Sequence, residues 1–177
     1  MSDEKRFFLL KTVLMCGFLI TLSPTHAQTR HQSEIPATLL SVIDEDDRNC
    51  VVNEGGIRKH VRVAPIRLAP KGKQILIRGS DSCLCGAQNC PFWIYRKVTG
   101  QYELLLKGIG STKVNAGRKL AFGYRDLITE THASANETLI RTYRFDGKHY
   151  QASRCVSRDY FDDNGRPVKV PVFRPCE

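Results

Sequence analysis

The side chains best suited to chemistry in this chain are its cysteines. Cys16 lies in an apolar N-terminal run, and six more follow: Cys50, Cys83, Cys85, Cys90, Cys155 and Cys176. In an exported chain an even set of cysteines is the arithmetic of a disulfide framework rather than of free thiols. Many pairings are open to six cysteines, but Cys85 and Cys90 bracket Gly86-Ala87-Gln88-Asn89, whose glycine and asparagine suit a tight loop that brings its ends together. The set we prefer joins Cys85 to Cys90, Cys50 to Cys83 and Cys155 to Cys176. A metal site at Cys83, Cys85 and Cys90 is the competing chemistry. It would need a fourth ligand, and it lacks the paired Cys-x-x-Cys spacing of a zinc ribbon or finger, so no metal and no other cofactor is expected.

Histidine offers the next candidates. His149 precedes Cys155 by six positions, and a Cys/His couple can form a nucleophile and its base; a cysteine already committed to a cystine cannot serve. His60, His132, Asp126 and Glu130 could approach one another if their strands paired, because Asp126, Ile128 and Glu130 share one face of a strand. Solvated side chains on a sheet face are the preferred reading of them. The mature chain holds no HExxH, GxSxG, phosphate loop or recognisable carboxylate pair, so no catalytic residue is assigned and a non-enzymatic protein is expected.

The compartment is read from residues 1–27. Lys5, Arg6 and Lys11 make a basic start, Val13 to Leu22 is apolar, and Ser23-Pro24-Thr25-His26-Ala27 supplies a breaker and small residues for cleavage. A signal peptide over 1–27 and a secreted or periplasmic protein over 28–177 follow. The apolar run is interrupted by Lys11 and falls short of the roughly 20 residues a spanning helix needs; no transmembrane segment is expected after cleavage. The whole chain carries a formal charge of +9, and losing three basic and two acidic residues with the leader lowers it to +8.

Elements that could position these groups are mostly strands. Ser33 to Ile43 suits one short amphipathic helix, ending at Asp44-Glu45-Asp46-Asp47, where negative charge opposes the helix C-terminus. From Val61 onward the apolar residues alternate in short runs with the period of strands. Nine are expected: Val61 to Leu68, Gln74 to Arg78, Phe92 to Val98, Tyr102 to Lys107, Leu120 to Phe122, Asp126 to Glu130, Thr138 to Phe145, Tyr150 to Ser153 and Val168 to Phe173. Thr99-Gly100, Asp146-Gly147 and Asn164-Gly165 stand between runs as turns.

An internal repeat of about 50 residues organises these strands. Lys71-Gly72-Lys73-Gln74-Ile75-Leu76-Ile77, with Trp93-Ile94-Tyr95-Arg96 and Gly100-Gln101-Tyr102, is echoed by Phe122-Gly123-Tyr124-Arg125-Asp126-Leu127-Ile128, with Arg141-Thr142-Tyr143-Arg144 and Gly147-Lys148-His149-Tyr150. Each unit reads as a turn, a strand, a loop and a hairpin, as in a propeller blade. The expected fold is therefore mainly β, a β-rich α+β protein: an antiparallel meander of two propeller-blade-like repeats with one short N-terminal helix, stapled by disulfides. A single domain over 28–177 would hold units at about 61–107 and 115–155 and a C-terminal hairpin extension over 156–177.

On these residues the chain resembles FG-GAP or VCBS-type repeat units, and uncharacterised secreted bacterial proteins that carry one or two degenerate copies behind a Cys-Gly-x-x-x-Cys-Pro-Phe-Trp segment, here Cys85 to Trp93. The resemblance implies β architecture and no activity. FG-GAP units often bind calcium through an aspartate-rich loop, whereas the matching stretches here are Ala69-Pro70-Lys71-Gly72-Lys73 and Ala116-Gly117-Arg118-Lys119. Cations stand where hard oxygen ligands are required, so calcium is not expected.

Charge points to binding. No acidic residue lies between Glu54 and Asp81, while Arg58, Lys59, Arg62, Arg67, Lys71, Lys73 and Arg78 do. Such an interval could attract an anionic envelope polymer or an acidic protein, or simply protect a strand edge from aggregation. Phe92-Trp93-Ile94-Tyr95 alternates, so one pair of these residues turns away from the main core. The expected contact surface combines Trp93, Tyr95 and Arg96 with Arg58, Lys59, Arg62, Lys71 and Lys73. The expected function is a non-enzymatic envelope-binding module, taking a protein or an anionic polymer with no specific nucleic acid. An envelope hydrolase or transferase and a purely structural envelope protein are the alternatives.

Overall fold

A computed structural model describes residues 35–110, 113–162 and 164–176. The expected leader and Ser33 lie outside these residues. Within them the chain is mainly β, with nine strands: β1 (Val61–Pro65), β2 (Lys73–Gly79), β3 (Cys90–Val98), β4 (Gln101–Gly110), β5 (Val114–Ala121), β6 (Tyr124–His132), β7 (Glu137–Phe145), β8 (Tyr150–Phe161) and β9 (Pro167–Pro175). They form two antiparallel sheets, ordered β1-β2-β3-β4 and β5-β6-β7-β8-β9. Each sheet is a meander in which sequence neighbours pair, the blade-like arrangement expected.

The β8 strand continues through 156 without a break, and β9 pairs along it from Val156↔Pro175 to Phe161↔Pro167. The expected hairpin extension is thus the far half of β8 plus a fifth strand of the same sheet. Two hairpins turn on two residues with positive φ. They are Thr99 (47°) with Gly100 (89°), and Phe122 (48°) with Gly123 (78°), the geometry that matches the right-handed twist of strands.

The N-terminal part departs from the expected single helix. A 3-10 helix at Ala37–Val42 stands where one amphipathic helix over 33–43 was expected. Two helices follow, α1 (Glu45–Asn53) and α2 (Ile57–His60). Asp44 to Asp47 starts α1 rather than ending its predecessor. Asp44 is the residue preceding the helix, and Glu45, Asp46 and Asp47 occupy its first turn, where the unpaired N–H groups of a helix favour negative charge.

These pieces stack in three layers, with the four-stranded sheet in the middle. Against one face lies the helical layer, in a core of Leu39, Ile43, Val51, Val61, Ile75, Ile77, Trp93 and Tyr95. Against the other lies the five-stranded sheet, in a core of Leu76, Phe92, Ile94, Leu105 and Leu106 with Val114, Leu127, Phe145 and Tyr150. Alternation therefore sends Trp93 and Tyr95 one way and Phe92 and Ile94 the other, and both directions are buried. Gly108 on β4 is the cost of fitting Phe92 between the sheets: a Cβ there would stand 2.5 Å from Phe92 Cζ. Polar bonds also join the sheets. Asn89 exchanges bonds with the His132 backbone at 2.8 and 2.9 Å, and Thr131 Oγ1 donates to the Ile109 carbonyl at 2.8 Å.

The disulfides Cys50–Cys83, Cys85–Cys90 and Cys155–Cys176 are all formed, the pairing preferred from the sequence. They tie α1 to the loop after β2, close the loop before β3, and fasten the end of β9 to β8. Three formed disulfides are the chemistry of a non-cytoplasmic protein. Among the described residues no helix is long and apolar enough to cross a membrane.

Candidate functional site

The surface expected from the sequence does not assemble. Trp93 is 1% exposed and Tyr95 fully buried under the helical layer, so neither can touch a partner. Arg96 is half-buried where the sheets meet: its Nε donates to Glu103 Oε2 at 2.8 Å, and its guanidinium lies 5.9 Å from the centre of the Phe145 ring. Hydrogen bonds to Tyr124 and Glu103 hold that guanidinium charged. It joins two sheets rather than facing solvent.

The basic interval is split along an edge. Arg58 and Lys59 are exposed on α2 before β1, Arg62 is exposed on β1, and Lys71 and Lys73 are exposed at the turn leading into β2. Because Val61 pairs with Gly79 and Pro65 with Ile75, the two cationic groups sit at opposite ends of β1. That strand is the edge of its sheet, where charged side chains discourage pairing with another chain.

The histidine candidates separate as well. Cys155 is bonded to Cys176, so it is no nucleophile for His149, which is exposed on the β7–β8 hairpin. His60 bonds to Asp81, Asp126 pairs with Arg144, and Glu130 pairs with Lys113 and Arg158.

What the structure does assemble lies on the outer face of the five-stranded sheet. A cleft of about 620 Å³ is lined there by Gly117, Arg118 and Lys119 of β5, Asp126 and Ile128 of β6, Thr142 and Arg144 of β7, and Ser153 and Arg154 of β8. That volume is within the roughly 300–1,000 Å³ of ligand sites. Two breaks in strand register build it. Pairing of β5 with β6 slips between Ala116 and Leu120, which frees Gly117-Arg118-Lys119 from the ladder. Pairing of β7 with β8 slips between Thr142 and Tyr143, leaving Ser153 as an extra residue beside Arg154. Bulges of this kind bend a strand and re-aim its side chains. Gly117 permits the first, since a Cβ there would meet the Asp126 carbonyl oxygen at 3.1 Å.

The electrostatics of the cleft are lopsided. Four exposed cations, Arg118, Lys119, Arg144 and Arg154, surround one carboxylate, Asp126, which is only 4% exposed. Arg144 Nε stands 3.6 Å from Asp126 Oδ1, beyond hydrogen-bond distance, and that oxygen is buried with no hydrogen-bond donor among the described residues. Burying a carboxylate oxygen without a donor is costly. Arg118, Lys119 and Arg154 pair with no carboxylate among the described residues. Behind Asp126, the Tyr150 hydroxyl donates to the Arg125 carbonyl at 2.7 Å; burial, with Tyr124 and Asp126 nearby, pushes its ionisation well up, so it stays a neutral donor.

Phe122 marks one end of the sheet. Expected as the last residue of a strand, it stands in the β5–β6 turn with φ at 48° and is 75% exposed. A bulky residue at positive φ is strained, and such strain concentrates at functional positions. Leu120, 66% exposed, is its neighbour across Ala121. One signal for the cleft was present in the sequence, the cations of Ala116-Gly117-Arg118-Lys119 where calcium ligands would otherwise stand. Nothing in the spacing tied them to Asp126, Arg144 and Arg154. No family model, curated protein or solved structure matches the chain, so the site is read from its geometry.

Proposed function

We propose that this is a secreted or periplasmic binding module that holds an anionic envelope polymer on the open face of its five-stranded sheet, in a cleft that carries out no catalysis. The observation that carries this is the convergence of four cations from three strands on one buried carboxylate. Guanidinium groups bind phosphate and carboxylate in a planar, two-pronged fashion, so Arg118, Arg144 and Arg154 suit the charged groups of such a polymer. Asp126 Oδ1, Thr142 and Ser153 suit its hydroxyls. Phe122 and Leu120, exposed outside the cleft lining at the β5–β6 end of the sheet, would add apolar area for the face of a sugar ring on a polymer that runs past the cleft. The cleft lining holds a single carboxylate and no histidine or cysteine, a set for gripping a ligand rather than for moving a proton between an acid and a base.

Calorimetric titration with polygalacturonate, a polyglycerol phosphate and a neutral glucan tests the reading. Binding is expected for the charged polymers and to weaken with salt. At about 0.5 kcal/mol per exposed cation, the triple variant Arg118→Gln/Lys119→Gln/Arg154→Gln is expected to lose about tenfold in affinity. Neutralising Arg58, Lys59, Lys71 and Lys73 should leave affinity nearly unchanged. If the second set abolishes binding and the first does not, the β1 edge is the site and the cleft is not.

A further inference from the structure

His60 is an unusual residue to find in a core. It is 4% exposed, one ring nitrogen, Nδ1, lies 2.7 Å from Asp81 Oδ2, and the other, Nε2, is buried with no hydrogen-bond partner among the described residues. Asp81 also accepts the Cys83 backbone N–H through its other oxygen, at 3.2 Å. A ring nitrogen of His60, a carboxylate oxygen of Asp81 and Cys83 Sγ all lie within 4.8 Å of one another. Cys83 is joined to Cys50, so this cluster has no thiolate with which to hold a metal. It does have a disulfide sulfur beside a carboxylate-oriented imidazole. Among the described residues neither of the other two disulfides belongs to such a cluster.

The two sulfurs of this bond are unlike. Cys83 is 5% exposed, whereas Cys50 is part-exposed near the C-terminal end of α1. Cys50 Sγ lies 3.7 Å from Glu54 Oε1, a contact that becomes a hydrogen bond only when the sulfur carries a proton. An incoming thiolate reaches Cys50, and the negative end of the α1 dipole with Glu54 disfavours charge there. Cys83 is therefore the sulfur that leaves.

We propose that Cys50–Cys83 is a thiol–disulfide exchange site whose substrate is a dithiol, with His60 as proton donor to the departing Cys83. A thiolate of the dithiol attacks Cys50 Sγ and forms a mixed disulfide. The Cys50–Cys83 bond breaks, its electron pair stays on Cys83 Sγ, and that sulfur is protonated by the His60 ring while Asp81 holds the ring in place. The dithiol's second thiol, having given up its proton, attacks the mixed disulfide at its own sulfur, and Cys50 leaves and is protonated. The substrate is oxidised to a disulfide by two electrons, and the cystine becomes two thiols. A separation of up to 4.8 Å is longer than a hydrogen bond, and catalytic contacts often close to bonding distance only in the reacting complex. Asp46, Asp47 and Glu54 lie one turn from Cys50 along α1 and its end. Burial, with repulsion from Asp44 and Asp46, raises the ionisation of Asp47 against the pull of Lys107, and Lys59 Nζ stands 3.5 Å from the Glu54 carbonyl oxygen, so the charges around Cys50 are of both signs.

The oxidised full chain is treated with dithiothreitol, and the opening of each disulfide is timed by alkylation and mass spectrometry. Cys50–Cys83 is expected to open about tenfold faster than Cys85–Cys90 and Cys155–Cys176, the scale at which a positioned proton donor begins to show. His60→Gln is expected to slow that bond alone by about tenfold. A purely structural histidine predicts the opposite sign, because loosening the core exposes Cys83 and speeds its reduction. Equal rates for the three bonds in the unaltered protein, or faster opening in His60→Gln, would overturn the proposal.

Discussion

The two sheets share one strand topology and differ in what covers them. In the four-stranded sheet both faces are buried, by helices on one side and by the second sheet on the other, so β3 carries four consecutive buried residues, Phe92 to Tyr95. In the five-stranded sheet one face packs inward through Leu127 and Phe145 while the other is open and carries the cationic cleft. Two meanders of like topology can thus divide labour: one becomes the structural centre, and the other is left a face on which polar side chains converge. Covering both faces removes the first sheet from contact with ligands. It also makes that sheet the place where substitution is least tolerated.

Truncation should expose this contrast most sharply. Trp93→Ala removes a fully buried ring and is expected to cost about 3–5 kcal/mol, whereas Thr142→Ala on the open face is expected to stay within about 0.5 kcal/mol. Urea denaturation of the two variants measures both; similar losses would mean that the open face is as structural as the closed one. A smaller effect is expected at the β5–β6 turn. Phe122→Asn places at positive φ a residue that adopts it readily, so stability is expected to rise by about 1 kcal/mol while affinity for charged polymers falls. A gain without any loss of binding would remove Phe122 from the site.

The smallest effect concerns the β7–β8 hairpin of the open sheet. The Asp146 carboxylate accepts the N–H groups of His149 and Lys148 at 2.7 and 2.8 Å, and these bonds hold its pKa below the usual 3.8. A carboxyl group with a lowered folded value stabilises the fold above its unfolded value, and that contribution is lost as pH falls through the lowered one. Protection of the His149 and Lys148 amides, taken against their intrinsic exchange rates, is therefore expected to fall as pH drops below 3.8, and Asp146→Ala should leave them poorly protected at every pH. Protection that does not change with pH in the unaltered chain would mean that the turn is held by its backbone alone.

Much of this was legible along the chain because the responsible forces are local. Alternation placed eight of the nine strands, missing most of β5, which runs over Val114–Ala121 where Leu120 to Phe122 was expected, and Thr99-Gly100 set a turn. Gly86 and Asn89 pointed to the Cys85–Cys90 loop, and the remaining cysteines paired as preferred. Other features depend on what is next to them in space. The run Asp44 to Asp47 discourages the end of one helix and equally favours the start of another, and only the chain path decides between them. Alternation in Phe92 to Tyr95 says that two pairs face opposite ways, but it is silent on whether each way leads to solvent. Phe122 carries no local preference for a turn at all.

By itself the sequence determined the β class, the hairpins and the covalent frame, since period-two patterning, turn residues and cysteine parity act over a few neighbours. Tertiary structure alone decided which sheet would be closed on both sides and where the cations would meet. Residues 118, 126, 144 and 154 come together only after two register slips bring four strands to one face. A slip of register reverses which side of a sheet a residue serves, and the burial that selects one register over another belongs to the folded whole.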